Sequence, residues 1–224
     1  MLLRTKVIAA VTAGLVCSAG TAVSLRAAAA TSSCGPHCIQ VFSAKYGTPE
    51  SPGFVESVYL GLPVAGVPTV LRAPSSSDPA GDMIVPAAGT VSDFYDKGMV
   101  SAAVNDHYGK MRAVQIEYAP HGMATGLCAA VATTTPYQNE GLTLQPCDTP
   151  GSTVFIIDTA DSPATAPDYF PIVLGNTTDF VHPFAMTIHG NPAHKLLPQI
   201  TVQHLRGNPA HVPLSQLWGA NVLN

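Results

Sequence analysis

The sequence predicts an all-β domain carrying one helical insertion, and three observations lead there. Short apolar segments alternate with polar residues, as in Val114-Gln115-Ile116-Glu117-Tyr118 and Ile200-Thr201-Val202-Gln203. Twenty prolines and 19 glycines cut the chain into pieces too short for a helical bundle. Charged residues make up only 11%, too few to coat the outer faces of many helices.

Taken in order, the strand candidates are Ile39–Ala44, Val55–Leu60, Thr69–Ala73, Met83–Pro86, Val114–Tyr118, Leu142–Gln145, Val154–Ile157, Pro171–Leu174, Phe184–Ile188 and Ile200–Leu205. Breakers separate them at Pro49 to Gly53, Pro74 to Gly81, Thr135 to Gly141 and Thr159 to Pro167. Two copies of Gly-Asn-Pro-Ala-His, at 190–194 and 207–211, read as turns. The exception is Lys97 to Met111, where Met99, Val100, Ala103, Val104, Tyr108 and Met111 recur at three- and four-residue steps. That spacing predicts one amphipathic helix near 97–111, with Asp96 as its cap and Gly109 disturbing its end.

The first thirty residues have the three regions of a secretory signal. Arg4 and Lys6 give a positive start, Val7 to Leu25 is apolar or small, and Ala28-Ala29-Ala30 offers a cleavage site. The expected mature chain begins near Thr31, is secreted, and forms a single domain over 31–224. A retained anchor competes with this reading, but Thr12, Ser18, Thr21 and Ser24 dilute the stretch. Cys17 after Gly14-Leu15-Val16 makes a poor lipobox, which wants a small residue before the cysteine.

Cleavage removes Arg4, Lys6 and Arg26, so Lys+Arg falls from 10 to 7 against 14 Asp+Glu, a net charge of −7. Such a chain lacks the basic footprint of a nucleic-acid binder and is not drawn electrostatically to anionic membranes. Four cysteines remain: Cys34, Cys38, Cys128 and Cys147. In an oxidising compartment they are expected to form two disulfides. Cys128 with Cys147 is favoured, because the two lie in adjacent strand-like segments, and Cys34 with Cys38 then follows.

The chain also repeats. Gly126-Leu127-Cys128-Ala129-Ala130-Val131 can be laid beside Gly53-Phe54-Val55-Glu56-Ser57-Val58, and the step from Cys128 to Thr143 equals that from Phe54 to Thr69. Phe184–Ile188, Ile200–Leu205 and Gln216-Leu217-Trp218 supply a third unit. Three units of four short strands are the plan of a β-trefoil.

On these residues the chain resembles the ricin-B-type family, whose unit reads Gly-x-Cys-Leu-Asp-Val, a Gly-containing turn, an apolar strand ending in Cys, then Gln-x-Trp. Gly126-Leu127-Cys128-Ala129-Ala130-Val131, Gly141 to Cys147 and Gln216-Leu217-Trp218 match parts of it. The cysteine separation suits that family's within-unit disulfide, and Trp218 fits its buried structural tryptophan. The sugar-binding parts match less well. Ala130 stands where the family has Asp, and Glu56 is the only acid near that place in the first unit.

No catalytic motif is visible: there is no Gly-x-Ser-x-Gly elbow, and no pair stands out among Asp93, Asp96, Asp106 and Glu117. His182, His189, His194, His204 and His211 crowd the last quarter without a zinc-helix spacing. The expected ligand-binding residues are Tyr137 and Asn139 in the middle unit, and Glu56 and Tyr59 in the first. The expected function is a secreted, non-enzymatic binding protein without cofactor that engages an extracellular glycan or protein. An inhibitory protein on the same scaffold and a hydrolase whose site is assembled from distant residues are the alternatives.

Overall fold

Alternating apolar residues and frequent turn formers give short paired strands, and the register of those pairs fixes the architecture. The computed structural model describes residues 34, 38–190, 197–206 and 211–223. The expected signal peptide over 1–30 lies outside the described residues, as does most of each Gly-Asn-Pro-Ala-His copy.

The first unit comprises β1 (Cys38–Ser43), β2 (Val55–Val58), β3 (Thr69–Arg72) and β4 (Met83–Ile84). An insertion follows, with β5 (Ala88–Thr90), α1 (Val91–Asp96) and α2 (Ala102–Tyr108). The second unit has a leading strand broken into β6 (Arg112–Val114) and β7 (Glu117–Tyr118), then β8 (Leu127–Val131), β9 (Glu140–Pro146) and β10 (Phe155–Ile157). The third has β11 (Ile172–Leu174), β12 (Phe184–Ile188), β13 (Ile200–His204) and β14 (Trp218–Val222).

Outer strands of the units close a ring. β1 pairs with β4, β4 with β7, β6 with β10, and β10 with β11. A bridge between Phe170 and Trp218 carries the ring to β14, which pairs back onto β1. The inner strands form three hairpins, β2–β3, β8–β9 and β12–β13. This is a β-trefoil, as the repeat pattern predicts.

The three-fold relation holds residue by residue. Phe42 faces Val55, Glu117 faces Cys128, and Val173 faces Ala185. Met83 faces Tyr118, Phe155 faces Leu174, and Trp218 faces Ser43. The hairpins touch through Pro68 with Thr143, Gly141 with Thr201, and Gln199 with Val70. This register makes Val55 the equivalent of Cys128, as the two segments laid side by side do, and not Phe54, as the equal step to Thr69 would. A one-residue slip turns every side chain to the opposite face, so Glu56 falls beside Ala129 and Met186 rather than near Ala130.

Those positions point inward. Ala129, Val131, Leu142, Leu144, Met186, Ile188, Ile200 and Val202 join Val58 and Leu71 in one buried cluster. Met83, Phe155 and Trp218 plug the barrel and are all buried. Trp218 donates its indole N–H to the Met186 carbonyl at 2.9 Å, and Gln216 is buried, donating to Thr187 Oγ1 and the His204 carbonyl. The Gln-x-Trp segment is therefore structural.

The helix expected near 97–111 is there as α2, shorter than its expected bounds, and a further helix, α1, precedes it. Thr90 caps α1 in a reciprocal pair with Asp93. Asp96 ends that helix instead of capping one. Gly98 then takes φ +71°, a conformation costly for other residues, and Ser101 caps α2 by accepting from the Val104 N–H. Val91, Phe94, Val100, Val104 and Tyr108 turn into a second apolar cluster against Val154, Ile156, Val173 and Ala185. Both expected disulfides are present, Cys34–Cys38 and Cys128–Cys147.

Candidate functional site

The loop from β8 to β9 is built on one buried carboxylate. Glu140 is 3% exposed. It accepts the backbone N–H of Thr133 at 3.0 Å, the Thr133 hydroxyl at 2.8 Å and the backbone N–H of Tyr137 at 3.3 Å. Asn176 fastens the same loop from the third unit, its Nδ2 donating to the carbonyls of Thr133 and Thr134. Backbone donors pinned in this way hold Tyr137 in place while leaving its ring 57% exposed.

Beside it, Asn139 adopts φ +66°, a region Asn tolerates better than most residues. Its N–H donates to the Val202 carbonyl at 2.9 Å, and its Oδ1 accepts from Gln203 Nε2 at 2.6 Å. Gln138 Oε1 accepts the backbone N–H of His204 at 3.1 Å. The His204 ring stacks on Phe184 with centroids 4.1 Å apart, its Nδ1 meeting the His182 carbonyl. Asp179 lies 3.9 Å from that nitrogen. The backbone N–H groups of His182 and then Val181 hold its carboxyl below the usual carboxylate range.

Together these side chains form a shallow polar strip across the second and third units, with one exposed aromatic ring at its edge. Gln138 and Asn139 are both exposed, and with their side-chain oxygens engaged by His204 and Gln203 their amide nitrogens are the groups left to donate. Of the residues in this strip, Tyr137 and Asn139 were expected from the sequence, whereas Gln203, His204 and Asp179 were not. They reach the strip only because β9 pairs with β13, a contact that no local pattern announces.

The first-unit pair behaves differently. Glu56 is 1% exposed, opposite Leu71, and neither carboxylate oxygen has a hydrogen-bond partner among the described residues. Burial pushes its pKa up to about 8. It lies inside the core, out of reach of a surface ligand. Tyr59 is 43% exposed on the β2–β3 loop, among apolar neighbours. The four expected residues are therefore not gathered into one site.

A separate cleft of about 520 Å³ opens where β1 and β14 meet the segment before β11. Glu50, Asp168, Thr159, Asn221 and Phe170 line it, with Phe42 at its base. It places two carboxylates from distant parts of the chain around one concavity.

No family model and no curated protein matches the chain. Solved structures do. A designed three-fold symmetric protein, ThreeFoil, aligns over 82% of this chain and 97% of its own, with a TM-score of 0.52 and 9% identity. The mdaA-1 domain aligns over 84% of this chain and 91% of its own, with a TM-score of 0.50 and 13% identity. A mosquitocidal holotoxin aligns over 85% of this chain but 18% of its own, with a TM-score of 0.51 and 8% identity. At such identities the likeness fixes the architecture and leaves the ligand open. The chain is a β-trefoil protein.

Proposed function

We propose that this is a secreted, non-enzymatic binding protein that takes an extracellular glycan on the Tyr137 strip. The observation that carries the reading is an exposed aromatic ring on a loop fastened by buried Glu140, beside outward amides. A sugar offers an apolar face for such a ring and hydroxyls for such amides. A pre-fastened loop loses little further freedom on binding. Asn139 contributes through its amide nitrogen, since its oxygen is taken by Gln203. Tyr59 is the corresponding exposed aromatic of the first unit; its apolar surroundings make it the weaker sugar platform. The Met99–Met111 segment, which could have offered a protein-docking face, turns its apolar side into the core.

The test is a glycan array with the secreted, disulfide-bonded protein, followed by Tyr137→Ala. Binding to one glycan class that falls at least about tenfold in the variant supports the reading; one aromatic–sugar stack is worth about that factor. A blank array, or unchanged binding in Tyr137→Ala, removes it. A second reading has one observation in its favour. Glu50 and Asp168 both line the open cleft, and glycoside hydrolysis uses two carboxyl groups held across a cleft. Turnover of a glycan by the wild type, lost in Glu50→Gln and in Asp168→Asn, would make the protein an enzyme instead.

A further inference from the structure

The β2–β3 connection is exposed and strongly apolar. From Ser57 to Leu71 there is no charged residue. Tyr59, Leu60, Leu62 and Val64 are 43%, 66%, 47% and 56% exposed, and Pro63, Ala65 and Gly66 between and after them are exposed too. Isolated surface leucines are ordinary, whereas a contiguous run is not. Leu60 even adopts φ +58°, where a loop that only had to turn would carry Gly or Asn.

Part of the backbone of this tip is paired, within the loop and to the strands beside it. Tyr59 N–H donates to the Pro68 carbonyl at 2.9 Å, Val64 N–H to Leu62 at 2.9 Å, and Val67 N–H to Val64 at 3.2 Å. Gly66 N–H donates to the Leu144 carbonyl at 2.7 Å, the Tyr118 hydroxyl donates to the Gly61 carbonyl at 3.0 Å, and Pro63 has no N–H. Each such pairing lowers the cost of entering hydrocarbon, where water is not there to satisfy the backbone.

We propose that the Tyr59–Gly66 tip inserts into the interfacial region of an electrically neutral lipid bilayer, with Leu60, Leu62 and Val64 entering the acyl boundary and Tyr59 at headgroup level. A bilayer asks for apolar side chains, which the tip has, and the tip's backbone is paired in part. A protein partner would be met by directional polar groups around the apolar centre, and the tip's side chains offer one hydroxyl. Charge agrees with a neutral surface: the tip carries none, and the mature chain's net charge of −7 gives anionic lipid no pull. Tyrosine suits the water–lipid boundary because its ring is apolar and its hydroxyl polar. The inference does not depend on the glycan reading, since the tip and the Tyr137 strip lie on different loops.

The experiment is co-sedimentation of the secreted protein with phosphatidylcholine vesicles. The expected result is binding that is unchanged between about 0.05 and 0.5 M salt, a range over which charge-driven binding would weaken strongly. Leu62→Asp/Val64→Asp is expected to lower the partition coefficient roughly tenfold or more. Val181→Asn, which changes an 80% exposed apolar residue on another loop, leaves it unchanged. Unaltered circular dichroism and melting of the variants confirm that the fold is intact. No binding by folded wild type, binding only to anionic vesicles, or equal binding by the double variant overturns the proposal. So does a wild type that self-associates through the tip, reverts to monomer in the double variant and never partitions into vesicles.

Discussion

Replacing Glu56 by methionine should make the protein markedly more stable at neutral pH. The three-fold register supplies the design: the same core position holds Ala129 in the second unit and Met186 in the third, so this interior accommodates a methionine in a related setting. The wild-type carboxyl is 1% exposed, has no hydrogen-bond partner among the described residues, and is pushed up to about 8 from 4.5 by burial. With its folded pKa above its unfolded one, the native state holds the proton while the unfolded chain gives it up. The group's contribution is therefore fully present below about pH 4.5 and is lost as pH rises toward 8. At about 1.4 kcal/mol per unit, the interval from 4.5 to 7 amounts to about 3 kcal/mol, and the whole window to about 5. Relieving a buried, unpaired carboxylic acid adds about 1–3 kcal/mol at any pH. The assay is denaturant unfolding of wild type and Glu56→Met at pH 5 and pH 8. The difference between them isolates Glu56, because the other titrating groups are common to both. The variant should be ahead at both values, and ahead by several kcal/mol more at pH 8. A gap that does not widen with pH, or a variant no more stable than wild type, would refute the buried-acid reasoning.

Three further outcomes follow from the same geometry. Trp218→Ala empties the largest fully buried side chain and strands the Met186 carbonyl, costing about 3–5 kcal/mol in denaturant unfolding. Replacing Cys128 and Cys147 together by alanine opens a loop with a sequence separation of 19, lowering stability by about 3 kcal/mol, read as a shift in denaturation midpoint. Glu140→Ala unfastens the Tyr137 loop and should weaken glycan binding while Tyr137 itself is intact; undiminished affinity would mean the loop needs no such anchor.

The fold was legible because it is written locally and three times over. Apolar alternation, turn residues and the Cys128–Cys147 unit each report on a few neighbours, and their repetition implies the closed arrangement that the ring of outer strands shows. The helical insertion was legible in composition but not in its break, because Gly98 and Ser101 end and restart the helix through backbone geometry and capping rather than through apolar spacing. Glu56 illustrates the limit most clearly. Its identity suggests a surface acid, but the pairing of β2 with β3 turns it into the core, and a single step of register decides between the two.

The sequence by itself determined the class of fold, the candidate pairing of the cysteines, the structural role of Trp218 and the choice of Tyr137 as an exposed ring. Each rests on interactions within a hairpin or a repeat. Tertiary structure alone decided that β9 and β13 bring Gln203 and His204 to Tyr137, that Glu50 and Asp168 share a cleft, and that the β2–β3 tip stands exposed. Those facts depend on which strands meet after the chain has closed on itself, a long-range choice set by packing that no short window of sequence encodes.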